Sequence, residues 1–318
     1  MSRPITPLEL SEFIAGDLRP RGFPTFAPTA RKEQIAWRTA GFRAWRRGEI
    51  SFRDFLTNIP PGSFKSAELQ KRLQAFLDRE IDQILQRANL YTRSATLLGL
   101  PFCATEPGEF KNWRIALKLI NEIVLDDEYR ARKHIEKDSV VIDAGANIGV
   151  FSALAATLAT RGQVFAFEPT KATFGILKEN VRQYPHVTPV QSGLGNEIGS
   201  AELGIENSTG VGNSLVSSGL AASYGNREMV PVTTIDAFVR EHHLSRVDFI
   251  KMDTEGFESE IIEGAKETIK KHRPTLALSA YHKPGDPERL QAMIAEYCPD
   301  YRFVLKRSPE LDLICDVS

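Results

Sequence analysis

The 318-residue sequence is poor in cysteine: Cys103, Cys298 and Cys315 stand alone, with no C-x-x-C spacing among them. That excludes a disulfide-stapled scaffold and a cysteine-rich zinc module, and it points to a reducing, cytoplasmic compartment. An excess of one charge is also missing. Forty Lys and Arg face 41 Asp and Glu, for a formal net charge of −1, so no global field draws the chain to nucleic acid or an anionic membrane. Long apolar runs are absent too. The most apolar helical stretch, residues 150–160, is about half the ~20 residues of a membrane span. Residues 1–20 hold acids and prolines where a secretory signal needs a continuous apolar core. What remains, 42% hydrophobic and 25% charged residues, is the composition of a folded soluble protein.

The chain changes character near residue 105. Between residues 19 and 47, Arg19, Arg21, Arg31, Lys32, Arg38, Arg43, Arg46 and Arg47 face a single acid, Glu33. Prolines at 20, 24 and 28 make its beginning an irregular arm. Residues 33–47 and 67–88 read as helices; in the second, Leu69, Leu73, Phe76, Leu77, Ile81, Ile84 and Leu85 recur at helical spacing. Residues 1–105 are therefore expected to form a helical accessory region, with the junction at residues 105–108. The basic arm is expected to dock on the rest of the chain or on a second copy, leaving a homo-oligomer open, rather than bind nucleic acid.

Residues 106–318 alternate strand and helix, which predicts an α/β domain with a mainly parallel sheet covered on both faces. Expected strands are residues 140–142, 164–167, 187–190, 247–251 and 275–279. Expected helices are 149–160, 170–183, 234–243, 259–272 and 286–297. Two closing strands, 301–306 and 311–316, form an antiparallel hairpin at the sheet edge. Strands at 201–206 and 229–233 flank a Gly/Ser/Asn-rich loop at 208–225, whose length marks it as functional or mobile.

The first expected strand runs into Asp143-Ala144-Gly145-Ala146-Asn147-Ile148-Gly149. A glycine turn that opens a helix lets backbone approach a ligand at Gly145 and pack tightly at Gly149. A pyrophosphate cradle requires G-x-G-x-x-G, and here Asn147 and Val150 occupy the second and third glycine positions. Asp143 suits an ammonium group better than a phosphate. The next strand ends at Glu168, placed to accept both hydroxyls of a ribose. An amino-acid end, a ribose and no phosphate describe S-adenosylmethionine. Ser192, after the third strand, is expected beside the adenine.

The second informative run is Lys251-Met252-Asp253-Thr254-Glu255-Gly256. Strand carboxyl ends face the ligand crevice of an open α/β sheet, so Lys251 and Asp253 are expected there. Asp253 or Glu255 then serves as the base that a hydroxyl nucleophile needs, or holds a divalent metal. Lys251, if buried, pairs with a carboxylate and sets its protonation. His282 emerges at the same rim as a further base or metal ligand, so Asp253, Glu255 and His282 are the metal candidates.

V-I-D-A-G-A-N-I-G at 141–149, V-F-A-F-E-P at 164–169 and D-F-I-K-M-D-T-E-G-F-E at 248–258 together resemble the FkbM-type methyltransferase family, over roughly residues 110–306. The resemblance implies a Rossmann-like fold, S-adenosylmethionine as donor, and O-methylation of sugars or natural-product hydroxyls. It places the donor at Asp143, Gly145, Asn147, Gly149 and Glu168, with Tyr129 near it. It places the reaction centre at Lys251, Asp253 and Glu255. The family often ends its fifth strand with an acid shortly before the histidine; here Ser279-Ala280-Tyr281 precede His282. Two other classes share the sheet: a nicotinamide-dependent oxidoreductase, and a methyltransferase-like binding module without chemistry. The missing second glycine opposes the former, the intact Asp253 and Glu255 the latter. The helices of residues 1–105 and the 208–225 loop are expected to overhang the ligand edge and select the acceptor.

Overall fold

The computed structural model describes residues 42, 44–48, 50–51, 119–205, 214–215, 226–307 and 311–317. The accessory region and the 208–225 loop, apart from Ser214 and Leu215 and a few residues near 45, lie outside the described residues. The expected helix at 67–88 and the basic arm, apart from a few residues at its end such as Arg46 and Arg47, lie outside them too.

A seven-stranded sheet forms the core: β1 (Val140–Ala144), β2 (Gln163–Phe167), β3 (Val187–Val190), β8 (Phe249–Met252), β9 (Thr275–Ser279), β10 (Arg302–Arg307) and β11 (Leu311–Asp316), in the order β10-β11-β9-β8-β1-β2-β3. Pairings from β3 to β9 are parallel; β11 runs antiparallel between β9 and β10. The α/β class and the antiparallel closing pair stand as the alternation of patterns predicts. A second, four-stranded sheet, β4 (Gly193–Leu194), β7 (Asn226–Thr233), β5 (Gly199–Ile205) and β6 (Ser214–Leu215), sits between β3 and β8 in the chain.

Alternate residues of the buried strands serve opposite faces. Val140, Ile142 and Ala144 of β1 join Ile250, Met252, Leu276 and Leu278 in the larger core. Over that core lie α4 (Ile235–Glu241), α5 (Glu258–Glu263), α6 (Lys266–His272) and α7 (Asp286–Tyr297). On the other face Phe151 of α2 (Val150–Leu158) stacks on Phe249, ring centroids 5.9 Å apart. A π-helical turn, Ile120–Leu125, covers α2, which explains why Val150 through Ala156 are all buried. The remaining helices are α1 (Ala131–His134) and α3 (Lys171–Val181).

One expected helix is two. Residues 259–272 divide at Gly264 into α5 and α6: the Asp236 N–H takes the Gly264 carbonyl at 2.9 Å, and the Asp236 carboxylate accepts the Glu267 and Thr268 N–H groups at the start of α6. At Gly264 the chain packs backbone against backbone, since a Cβ there would lie 2.0 Å from the Gly195 carbonyl oxygen.

The chain runs outward from β1 through β2 to β3, then returns to β8 on the other side of β1. The strand order therefore reverses between β1 and β8, and ligands of open α/β sheets bind outside the strand carboxyl ends at such a point. The sequence motifs at 143–149 and 251–258 meet at this reversal.

Candidate active site

A cleft opens at the carboxyl ends of β1, β2 and β8, lined by Gly145, Ala146, Asn147, Phe151, Glu168, Ser192, Gly193, Leu194, Lys251, Asp253, Glu255 and Phe257, among others. Its floor is the turn after β1. Gly145, Asn147 and Gly149 have positive φ of 76°, 49° and 89°, a region that glycine and, less readily, asparagine adopt. The need for glycine at 145 differs from the ligand approach expected of it: a Cβ there would meet the Asp253 carbonyl oxygen at 2.0 Å. Gly145 thus lets the ends of β1 and β8 close on each other. At Gly149 a Cβ would lie 2.7 Å from Leu177 Cδ1, so that glycine serves the packing of α2 on α3.

Glu168 stands at one end of the cleft, 6% exposed. Its Oε2 accepts the Asn147 N–H at 3.1 Å and its Oε1 the Thr170 N–H at 3.0 Å. The Thr170 hydroxyl donates to it as well; a carboxylate has about four acceptor sites, so it keeps capacity for a further donor from the cleft. Burial pushes its pKa up to about 7, against the pull of the Thr170 and Asn147 donors. Ser192 is buried beside it, its hydroxyl within reach of the Pro231 and Gly193 carbonyls at 3.1 and 2.9 Å.

Asp143 is not where an ammonium ligand would meet it. The strand register pairs Asp143 with Lys251 across β1 and β8, and both side chains point to the α2 face. Asp143 is fully buried. Its Oδ1 lies 3.2 Å from Lys251 Nζ, and its Oδ2 accepts the Ser152 hydroxyl at 2.6 Å. Lys251 Nζ also donates to the Gly145 carbonyl at 2.7 Å. Burial works against the lysine's charge, yet Asp143, with Asp253 beyond it, holds its pKa above the ordinary lysine value. The pair is the internal brace of the glycine turn, and the cleft receives the lysine rather than Asp143.

At the opposite end, Asp253, Glu255 and His282 converge. Glu255 and Gly256, at φ 53° and 91°, turn the chain sharply between β8 and α5, which brings the Glu255 carboxylate back over the strand end. His282 Nε2 lies 3.7 Å from Asp253 Oδ1 and 3.4 Å from Glu255 Oε2; its Nδ1 lies 3.2 Å from Glu258 Oε1. The imidazole is 4% exposed. Burial lowers its pKa, but Glu258, Asp253 and Glu255 together outweigh that and raise it to about 9. The ring therefore holds its second proton at neutral pH.

Tyr129, 2% exposed, donates its hydroxyl to Asp253 Oδ2 at 3.1 Å. Its ring meets Phe151 edge-on at 5.6 Å, and Lys251 Nζ lies 5.6 Å from the ring centroid. Burial, then the charge of Asp253, pushes the phenol pKa well above its ordinary value, so it remains a donor.

Glu258 was missing from the residues singled out in the sequence. It is 2% exposed, and its Oε1 accepts both the Thr254 N–H at 2.9 Å and the Thr254 hydroxyl at 3.0 Å. An acid in the first turn of α5, five residues after Asp253, looks like a helix-terminus charge; only the approach of the β9 end reveals its contact with His282.

The sequence pattern of the methyltransferase FkbM domain matches residues 143–306. The chain is 28% identical over 164 residues to the hexuronic acid methyltransferase AglP of Haloferax volcanii, covering 51% of this chain and 63% of that protein. It is 26% identical over 148 residues to the 2-O-methyltransferase NoeI of Sinorhizobium fredii, covering 43% and 61%. A crystal structure of methyltransferase FkbM from Methylobacillus flagellatus overlaps 76% of this chain and 60% of its own, at 18% identity and a TM-score of 0.45. The match to the domain takes in both site motifs, from Asp143 through His282, and more than half of the chain: this protein belongs to the FkbM methyltransferase family.

Proposed function

We propose that the chain is an S-adenosylmethionine-dependent O-methyltransferase whose acceptor is a hydroxyl on a sugar or sugar-like small molecule. The observation that carries this reading is the cleft itself. It joins a buried carboxylate at the end of β2, Glu168, to a second carboxylate at the strand reversal, Asp253, with no phosphate cradle between them. The names of AglP and NoeI, a hexuronic acid methyltransferase and a 2-O-methyltransferase, support the choice of a sugar hydroxyl.

When bound, S-adenosylmethionine supplies a methyl group on a sulfonium, open to in-line attack. In this reading Glu168 accepts the ribose hydroxyls, Ser192 and Gly193 border the adenine, and Gly145, Asn147 and Gly149 shape the backbone beneath the methionine portion. Asp143 acts at one remove, through Lys251 and the Gly145 carbonyl. At the other end Asp253 draws the proton of the acceptor hydroxyl as its oxygen attacks. Tyr129 fixes the angle of that carboxylate, with His282 beside it and Glu258 on the far side of the ring. The test is incubation with methyl-labelled S-adenosylmethionine and a panel of monosaccharides, uronic acids and glycosides. Mass and NMR analysis of the product should place the label on oxygen. Label on nitrogen or carbon, or a donor that does not bind, overturns the reading.

Donor affinity should depend on pH through Glu168. Ribose hydroxyls need the ionised carboxylate, so S-adenosylhomocysteine affinity should fall about tenfold per unit below pH 7 and level off above about 8. Glu168→Gln should bind weakly and lose that slope. The sign for stability is opposite: with its pKa raised from 4.5 to about 7, the folded apo protein holds this proton longer than the unfolded chain, so stability declines between those values. Calorimetry from pH 5.5 to 8.5 checks the first claim; an equal slope in Glu168→Gln would remove Glu168 from the donor site.

A further inference from the structure

We infer that the Asp253–Glu255–His282 cluster is a divalent-cation site that presents the acceptor hydroxyl to the donor, an inference that rests on the methyltransferase reading and deepens it. The first ground is charge. Three carboxylates, Asp253, Glu255 and Glu258, surround one imidazole within 3.2–3.7 Å, so even an imidazolium leaves the group net negative. The second ground is the ring itself. Its side chain is 4% exposed, and neither nitrogen makes an aligned hydrogen bond.

The spacing separates inner from outer ligands. Asp253, Glu258 and His282 offer ligand atoms within 4.8 Å of one another. Glu258, however, faces Nδ1, and its Oε1 already accepts twice from Thr254. Asp253 Oδ1 and Glu255 Oε2 face Nε2 instead, at 3.7 and 3.4 Å. Neighbouring ligands of one oxygen-preferring cation stand about 3.0–3.4 Å apart, given metal–oxygen distances of about 2.1–2.4 Å. Binding releases the Nε2 proton to solvent, and small inward shifts would then place Nε2, Oδ1 and Oε2 on a single ion. Glu258 would then hold the Nδ1 proton, the arrangement by which a carboxylate orients a metal-bound histidine. Tyr129 occupies Asp253 Oδ2 and so aims Oδ1 at the site.

Asp253 and Glu255 keep 28% and 30% of their side chains exposed, and both line the cleft, so open coordination positions face the acceptor. Two adjacent oxygens of a sugar, a hydroxyl pair or a hydroxyl beside a carboxylate, match such positions. A cation here lowers the pKa of the hydroxyl it holds. With the cation on Asp253, the hydroxyl's proton passes to water in place of that carboxylate, the hydroxyl oxygen bonds to the methyl carbon, and the S–C bond breaks with its electron pair left on sulfur. A cation also removes the repulsion that Asp253 and Glu255 would exert on a uronate.

The test is titration of the full chain with Mn²⁺ alone, followed by the loss of the free-ion paramagnetic resonance signal. We expect one site with a dissociation constant on the order of 10⁻⁴ M. It should weaken at least tenfold in Asp253→Asn and in His282→Gln, and 10–100-fold in Glu258→Gln. Should the buried variants unfold by circular dichroism, Glu255→Gln, at a partly exposed position, decides in their place with the same tenfold loss expected. No Mn²⁺ binding up to millimolar concentration, or binding that these substitutions leave unchanged, overturns the inference. Calorimetry of S-adenosylhomocysteine in EDTA separates the two readings. Donor binding without Mn²⁺ binding leaves the methyltransferase and removes the cation; cluster-dependent Mn²⁺ binding without donor binding does the reverse.

Discussion

Asp253→Asn should slow methyl transfer by about 10²–10⁴-fold, the range for loss of a group that handles the transferred proton, while S-adenosylhomocysteine affinity stays within a few-fold. The expectation follows from the separation of the two ends of the cleft. Glu168 and Ser192 sit beyond β2 and β3, whereas Asp253 follows β8 and is turned toward Tyr129, Glu255 and His282. Asparagine keeps the size of the side chain and can still accept from the Tyr129 hydroxyl, so the geometry of the strand end survives. The backbone contribution survives as well, since the Asp253 N–H donates to the Ala144 carbonyl at 3.2 Å. What disappears is the negative charge that attracts a hydroxyl proton or a cation. Tyr129→Phe, which leaves the charge but frees its orientation, should lose activity by a smaller factor. Single-turnover rates with saturating donor are the measurement. A rate for Asp253→Asn within threefold of wild type would move the reaction centre elsewhere in the cleft.

The sheet was legible because its strands are short runs of Val, Ile, Phe and Leu between helical patterns, and parallel strands buried on both faces read that way. Residues 275–279, 286–297 and 311–316 coincide with β9, α7 and β11. Features made by contact between distant backbones were not legible. The break at Gly264 depends on Asp236, which meets the Gly264 carbonyl and caps α6. The four-stranded sheet depends on two-residue strands such as β4 and β6, too short to carry a period. The site divides the same way. Asp253 and His282 follow from a rule about strand ends, and they lie within 3.7 Å of each other. The direction of the Asp143 side chain depends on its register with Lys251, which only pairing reveals, and the ammonium contact expected of it gave way to an internal ion pair. Glu258 escaped notice because an acid opening a helix has an ordinary explanation.

That ion pair carries the largest expected effect on stability. Asp143 and Lys251 are 0% and 3% exposed, so neither charge can recover its hydration without unfolding the turn. Lys251→Met fills the same volume but leaves the Asp143 carboxylate with the Ser152 hydroxyl as its remaining close partner. Removing one member of a buried pair typically costs about 3–5 kcal/mol, because the other charge is left unpaired. The loss should appear as a lower urea midpoint with an unchanged slope. It should also reach the cleft: Lys251 Nζ ties the Gly145 carbonyl in place, and the Asp253 carbonyl packs directly on Gly145, so donor affinity and turnover should fall together. The double variant Asp143→Leu, Lys251→Met distinguishes the two consequences. With no charge left to bury, it should regain most of the stability, yet remain slow, since nothing then holds the Gly145 carbonyl. A double variant that recovers turnover as well would show that the lysine braces the fold alone and leaves the shape of the cleft to the glycine turn.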